Sequence, residues 1–159
     1  MTQIPFSDRP YRLGVGIVLF NTDKKVFVGK RKDTPDAWQF PQGGIDKGEE
    51  PLDAAWREMG EEIGTNNAQL IAQSSEWLGY DLPEDLANKS WGGKFRGQKQ
   101  LWFAFRCTGT DADINLEVHT PEFSEWKWVD LAEVPNYIVP FKRPLYVQVV
   151  AEFLKLTGK

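Results

Sequence analysis

The spacing of hydrophobic residues differs from segment to segment along the chain, and each spacing predicts a strand or a helix. Residues 12–20 are rich in β-branched side chains, and after the polar segment 21–24 the apolar pattern resumes at residues 25–29. Two extended segments that flank a short polar turn predict a β-hairpin. Residues 38–41, Trp-Gln-Phe-Pro, form a further short extended segment that leads into a glycine-rich turn.

The clearest helical pattern follows that turn. Pro51 suits the first turn of a helix, and Gly64 suits the position just past its end. The apolar residues between them recur on one helical face, at Leu52, Ala55, Trp56, Met59 and Ile63. A spacing of three and four residues is typical of an amphipathic helix, so this segment is predicted to pack one face on a core.

The rest of the chain alternates between strand and helix signals. We expect strands at residues 98–106, at 123–129 and in the first half of 68–82, and an exposed loop at 83–97. Pro144 suits the start of a final helix. The sequence shows no internal repeat and no low-complexity linker, so residues 1–159 are expected to form a single domain of mixed α/β class.

Composition narrows the function classes. The 159 residues carry 19 basic and 23 acidic side chains, a net charge of −4, so no bulk positive field attracts nucleic acid or an anionic membrane. Cys107 is the only cysteine, which excludes an intramolecular disulfide and fits a reducing compartment. No apolar segment has the length of a membrane span or a secretory signal. A soluble, cytoplasmic protein is expected.

Three carboxylates stand beside the apolar face of the central helix. Glu58, Glu61 and Glu62 are spaced by three and four residues, so they fall within an arc of about 100°. Such a cluster is either a solvated helix face or a metal site. Oxygen ligands at this density suit Mg²⁺ or Mn²⁺ better than zinc, for which the chain offers one histidine, His119, and one cysteine.

The context of these glutamates carries a resemblance. Gly43 is followed by five residues, Glu49, seven residues, and then Arg-Glu-Met-Gly-Glu-Glu-Ile-Gly at positions 57–64. This pattern resembles the Nudix box in all seven fixed positions. The resemblance implies a Nudix α/β/α sandwich, with a mixed β-sheet between helices, that cleaves phosphoanhydrides by attack of water at phosphorus. It also implies a divalent cation, Mg²⁺ or alternatively Mn²⁺ or another such ion.

Segments outside the box resemble a narrower group. Residues 38–45, 97–103, 121–128 and 141–146 are similar to bacterial RNA pyrophosphohydrolases, a group that overlaps the dinucleoside polyphosphate hydrolases. The resemblance implies metal binding by Gly43, Glu58, Glu61, Glu62 and Glu122, and catalytic roles for Arg57, Glu58, Glu62 and Glu122. Its implied substrate contacts are Arg12, Arg31, Gln42, Gln98, Lys99, Phe141 and Lys142, and Tyr80 is left open.

The expected function is Mg²⁺-dependent hydrolysis of the 5′-triphosphate end of RNA to a 5′-monophosphate, with release of pyrophosphate or phosphate, as the first step of RNA decay. Two alternatives stay open: asymmetric hydrolysis of diadenosine polyphosphates, and a catalytically silent Nudix module that only binds a nucleotide. Glu62 or Glu122 is the expected general base. The expected partner is the RNA or dinucleotide substrate, with no membrane and no obligate protein partner. His119 is interpreted as structural or incidental.

Overall fold

The computed structural model describes residues 4–34 and 36–158. Within them, eight strands form one sheet: β1 Tyr11–Phe20, β2 Val26–Arg31, β3 Trp38–Gln39, β4 Gln42–Gly44, β5 Ala68–Gln73, β6 Leu78–Asp81, β7 Gly97–Cys107 and β8 Phe123–Val129. The α-helices of this part of the chain are α1 Pro51–Glu62, α2 Glu84–Lys89 and α3 Arg143–Phe153. Short 3-10 helices occur at Phe6–Asp8, Trp91–Gly93, Asp111–Asp113, Leu131–Asn136, Pro140–Lys142 and Leu154–Thr157.

The sheet is mixed because its two central strands run parallel. β1 pairs with β7 in parallel from Tyr11 opposite Gly97 to Phe20 opposite Arg106. The other pairings are antiparallel: β2 with β1, β3 and β8, β4 with β1, and β5 and β6 with β7. The β1–β2 pair is the hairpin that the apolar pattern predicts. Parallel neighbours require a long crossover, and the crossover from β1 to β7 contains α1.

Helices cover both faces of this sheet, since alternate residues of β1 point to opposite sides. Val15, Ile17 and Leu19 are buried in a core that includes Ala55, Met59 and Ile63 from α1 and its end. On the other face, Val18 and Phe20 belong to a second core with residues of α3. The predicted α/β/α sandwich is therefore confirmed. None of the helices in residues 4–34 and 36–158 is both long enough and apolar enough to cross a membrane.

Helix α1 begins and ends where the sequence predicts. Pro51 is its first residue, and its last turn closes with a hydrogen bond from the Ile63 amide to the Met59 carbonyl. Gly64 then turns the chain with a φ of +84°, a conformation that glycine adopts without steric cost. The last residue of α1, Glu62, is buried although it is a carboxylate. This position gives the helix a chemical as well as a packing role.

The region between β5 and β7 corrects one expectation. The segment 83–97 contains α2 and a 3-10 helix rather than an exposed loop. The second half of residues 68–82, for which the sequence predicts no element, forms β6, which pairs with β7. Ala87 and Gly93 in this segment are buried. Six residues are too few to show helical periodicity, so only the acidic first turn after Pro83, with Glu84 and Asp85, indicates the helix.

Candidate active site

A cavity of about 640 Å³ opens over the end of α1 and is walled by segments from both halves of the chain. It brings together every predicted site residue except Arg57 and Lys99. Those that line it are Arg12, Arg31, Gln42, Gly43, Glu58, Glu61, Glu62, Gln98, Glu122, Phe141 and Lys142. The glutamate carboxylates of the lining lie together at the end of α1, which is the acidic end of the cavity, and the lining also includes cations and aromatic rings.

Glu62 lies deepest at the acidic end. Its carboxylate Oε2 accepts a hydrogen bond of 2.9 Å from the backbone amide of Gln42, whereas Oε1 is buried and has no hydrogen-bond partner among the described residues. Burial raises the pKa of Glu62 well above its usual range, and the neighbouring carboxylate of Glu122 raises it further. A like charge this close disfavours the charged form of Glu62.

Glu58 is mostly buried one turn earlier on α1. Burial raises the pKa of Glu58, while its hydrogen bond to Arg57 opposes that rise. A Cβ added to Gly43 would lie 2.1 Å from the carboxyl carbon of Glu58. The glycine at this position is therefore required for the close approach of a side chain. Of the turn glycines 43, 44 and 48, only Gly48 has a positive φ, at +79°, so the other two are not needed for backbone freedom.

Arg57 lies behind the cavity and orders the carboxylates rather than lining the space. Its Nε and Nη2 donate to the two carboxylate oxygens of Glu49, each at 2.9 Å, and Nη2 also donates to the carbonyl of Gly44 at 2.9 Å. Its Nη1 donates to Glu58 at 2.8 Å and reaches Glu61 only at 3.5 Å. The Arg57 guanidinium lowers the pKa of Glu49 to about 2. The i, i+4 contact with Glu61 is therefore the longest of these, and Glu49 is the main partner.

The oxygen atoms of this end fit a divalent cation by three features. The donors are hard carboxylate oxygens, Glu62 contributes a buried oxygen without a partner, and the absence of a side chain at Gly43 leaves room beside Glu58. In residues 4–34 and 36–158 no group of three or more acidic, histidine or cysteine side chains is arranged to hold a metal ion as it stands. Glu58 accepts a hydrogen bond from Arg57, and Glu62 accepts one from the backbone amide of Gln42. A bound cation would compete with these contacts.

A network of amides forms the floor beside the acidic end. Gln98 donates from Nε2 to the hydroxyl of Tyr80 at 2.7 Å and to Oε1 of Gln42 at 3.2 Å, and Gln100 donates to the same Gln42 oxygen at 2.7 Å. Arg12 joins the network by donating from Nη1 to Oε1 of Gln98 at 3.1 Å. Gln100 was not among the predicted residues, although alternation along β7 places it on the same face as Gln98.

The same alternation removes Lys99 from the site. Its side chain is exposed on the opposite face of β7, with Nζ 4.8 Å from the centre of the Tyr11 ring. The predicted substrate contact at Lys99 is therefore not supported by its placement. The resemblance of the surrounding segment to known enzymes implies this contact. Successive side chains of a regular strand point to opposite faces, so Gln98 and Lys99 cannot both face the cavity.

Cations and aromatic rings lie side by side in the rest of the cavity lining. The rings of Tyr80 and Phe141 lie 6.0 Å apart, and Nζ of Lys142 lies 5.3 Å from the centre of the Tyr80 ring. Arg31 is held by Asp33, with Nε 2.6 Å from Oδ1. Burial, and secondarily the charge of Arg31, lower the pKa of Lys142 to about 8.

Several cavity residues carried no signal in the sequence. Leu86 and Trp91, which line the cavity, belong to the segment 83–97, for which the sequence predicts an exposed loop. His119, interpreted as incidental, also lines it, with Nε2 4.0 Å from a carboxylate oxygen of Glu61. The side chain of His119 is 59% exposed, so this contact is a surface ion pair when the imidazole is protonated.

Comparison with known proteins identifies the family of the chain. The NUDIX domain matches residues 10–149, and the chain belongs to this family, as the Nudix box predicted. It is thus a Nudix hydrolase, from a family whose enzymes use divalent cations. The chain is 63% identical over 143 residues to a protein of Rhodospirillum rubrum named RNA pyrophosphohydrolase, covering 90% of this chain and 87% of that one. A protein of the same name from Rickettsia typhi is 53% identical over 152 residues, covering 95% and 94%.

Solved structures show the same fold at low identity. The dihydroneopterin triphosphate pyrophosphohydrolase of E. coli superposes with a TM-score of 0.69 at 23% identity, over 90% of this chain and 99% of that one. An Ap4A hydrolase from C. elegans, in a binary complex, gives a TM-score of 0.65 at 20% identity, over 93% and 99%. At these identities the likeness concerns the arrangement of the chain only.

Proposed function

We propose that this protein hydrolyses the 5′-triphosphate end of RNA to a 5′-monophosphate, and so starts RNA decay. The observation that carries the proposal is one cavity whose lining combines a carboxylate cluster with cations and aromatic rings. A nucleoside triphosphate needs this combination, with cations for its phosphates, a ring surface for its base and carboxylates for a divalent cation. The identity of 63% to a protein named RNA pyrophosphohydrolase supports the choice of RNA. The single cysteine, Cys107, is buried and unpaired, which supports a cytoplasmic location.

Magnesium is the proposed cation. Glu58, Glu61, Glu62 and Glu122, with the backbone at Gly43, are the residues that would hold it. When bound, Mg²⁺ neutralises charge on the bridging phosphate oxygens and makes a coordinated water more acidic. The four carboxylates together carry the same formal charge as the whole chain, −4, so the acidity of the sequence reflects its active site rather than a surface that repels RNA.

The chain's own residues supply proton transfer and orientation. Glu62 or Glu122 takes the proton of the attacking water, because both carboxylates line the cavity and a carboxylate within hydrogen-bond reach of a water can act as its general base. Arg12, Arg31 and Lys142 bind the phosphates as charge-assisted donors. The rings of Tyr80 and Phe141 offer a stacking surface for a base, which contributes about 1–3 kcal/mol per base.

The test compares substrates at a fixed Mg²⁺ concentration. Purified protein is given triphosphate-ended RNA, diadenosine tetraphosphate and a free nucleoside triphosphate, and kcat/KM is measured for each. The proposal expects the highest kcat/KM for the RNA. A higher value for the dinucleotide would replace RNA with the dinucleoside alternative, and no turnover of any of the three would leave a nucleotide-binding module.

Removing magnesium is expected to change stability as well as activity. A ligand at about ten times its dissociation constant stabilises the folded state by about 1.4 kcal/mol, or about 4 °C in Tm for a domain of this size. We therefore expect Mg²⁺ to raise Tm in thermal unfolding and EDTA to reverse the rise. Glu62→Gln should abolish the rise in Tm with Mg²⁺. Glu125→Gln should keep it, because Glu125 is an exposed residue paired with Lys30. An equal shift in both variants would contradict this site.

Lys142 is expected to give the reaction an alkaline limit. Its lowered pKa of about 8 means that the ammonium loses its proton as pH rises through that value, and with it one phosphate contact. Arg31, Asp33 and Tyr80 are the charged and titratable groups that face it. Between pH 7 and pH 9.5, we expect kcat/KM of the unchanged protein to fall about fivefold more than kcat/KM of Lys142→Arg, whose side chain stays charged. Parallel pH profiles for the two proteins would count against this role of Lys142.

A further inference from the structure

Trp91 borders the cavity on a strained stretch of backbone. Its φ is +48°, and the next two residues, Gly92 and Gly93, have φ values of +69° and +71°. Glycine accepts this left-handed conformation, but a bulky side chain adopts it only where the surrounding structure enforces it. Such backbone outliers cluster at functional sites, so the indole ring of Trp91 is a candidate for a functional role. The ring lines the cavity and is partly buried.

The contact that Trp91 makes in the cavity is with Arg12. The guanidinium carbon of Arg12 lies 4.9 Å from the centre of the Trp91 ring, within the range of a cation–π interaction. Gln98 accepts a hydrogen bond from Nη1, and Nη2 fills the space beside Gly44, where an added Cβ would lie 2.1 Å away. The guanidinium is thus held from several sides by an aromatic ring, an amide and a glycine.

The groups that hold Arg12 are all uncharged. Among the salt bridges of residues 4–34 and 36–158, none involves Arg12, whereas the neighbouring Arg31 is paired with Asp33. An arginine ordered without a carboxylate keeps its charge and its remaining donors for an incoming anion. Because arginine has many rotamers, ordering the side chain before the substrate arrives lowers the entropic cost of binding.

We propose that Trp91 is a positioning residue that holds the Arg12 guanidinium in place to receive a substrate phosphate. Trp91 acts through Arg12. The proposal rests on the proposed function, in which Arg12 binds the triphosphate. It gives the segment 83–97 a part in substrate recognition.

The experiment is a double-mutant cycle with triphosphate-ended RNA and Mg²⁺. Trp91→Leu is expected to raise KM about fivefold and to leave kcat within about twofold, whereas Trp91→Phe, which keeps a ring, should stay within about twofold of the unchanged protein. In an Arg12→Gln background, Trp91→Leu should raise KM by less than about 1.5-fold, because the residue through which it acts is gone. Trp91→Tyr and Trp91→Met repeat the comparison if Trp91→Leu does not fold.

Phe95 supplies the matched control. Its ring packs edge-on against Trp91, with centres 6.1 Å apart, and it is not among the described residues that line the cavity. If Trp91 only stabilised the turn, Phe95→Leu would raise KM as Trp91→Leu does. The positioning role requires Phe95→Leu to leave KM within about twofold.

The outcomes separate this proposal from the proposed function. If the unchanged protein leaves triphosphate-ended RNA intact, the proposed function fails and the positioning role falls with it. If the protein hydrolyses that RNA, the positioning role is overturned by an equal effect of Trp91→Leu with and without Arg12, or by a Trp91→Phe variant as impaired as Trp91→Leu. In those two cases the proposed function stands.

Discussion

Replacing Glu62 with glutamine is expected to lower kcat by about 10³-fold or more while the protein stays folded. The amide keeps the size of the side chain and can still accept the hydrogen bond from the Gln42 backbone. It loses the charge at the buried oxygen that has no partner among the described residues. Because the carboxyl group is buried beside Glu122, removing its charge relieves repulsion, so the free energy of unfolding should not fall.

The measurement is kcat on triphosphate-ended RNA together with thermal unfolding of the same samples. Glu125→Gln is the control, since Glu125 lies on β8 near Glu122 in the chain but is 61% exposed and pairs only with Lys30 among the described residues. Its kcat should stay within about twofold. A Glu62→Gln protein that retained a tenth of the original kcat would show that this carboxylate is not part of the reaction.

Adding one methyl group at Gly43 is expected to lower kcat about 100-fold with little change in stability. The new Cβ would lie 2.1 Å from the carboxyl carbon of Glu58, so the carboxylate must move. The carboxylate is the far end of a flexible side chain, which makes its displacement cheap for the fold. A misplacement of about 1 Å in a catalytic group is enough for a loss of this size.

Gly44→Ala supplies the contrast. There the added Cβ would lie 2.1 Å from Nη2 of Arg12, so the displaced group is the proposed phosphate ligand and the expected effect is on KM, about fivefold. Gly60→Ala, on α1 and outside the described cavity lining, should change neither constant by more than about twofold. The two neighbouring glycines thus separate catalysis from binding, and equal effects of both alanines on kcat would contradict the geometry.

Much of the fold and the acidic half of the site could be predicted from the sequence. The helical spacing from Leu52 to Ile63, and the glycine after it, define α1 to within a residue, since helix ends obey local rules. The spacing of Glu58, Glu61 and Glu62 places them on one side of that helix. Glu122 lies more than 50 residues away along the chain, so only the resemblance to Nudix enzymes could associate it with them.

The rest depends on tertiary structure. The aromatic part of the cavity lining comes from separate segments of the chain and includes Tyr80, Trp91 and Phe141. No local sequence pattern indicates that these residues lie close together in the fold. Arg57 illustrates the same limit, because helical spacing offers Glu61 at i+4, whereas Glu49, eight residues away, accepts two hydrogen bonds of 2.9 Å from the guanidinium. Lys99 shows the opposite case, in which strand alternation outweighs the resemblance of its segment.

The conversion of a triphosphate-ended RNA to its 5′-monophosphate by the purified protein is the direct test of the proposed function. With Mg²⁺ present, the RNA should become monophosphorylated with release of pyrophosphate or phosphate. With EDTA it should stay intact, and renewed addition of Mg²⁺ should restore the reaction. An RNA that keeps its triphosphate in the presence of Mg²⁺, or one that loses it at the same rate in EDTA, would contradict the proposed function of this cavity.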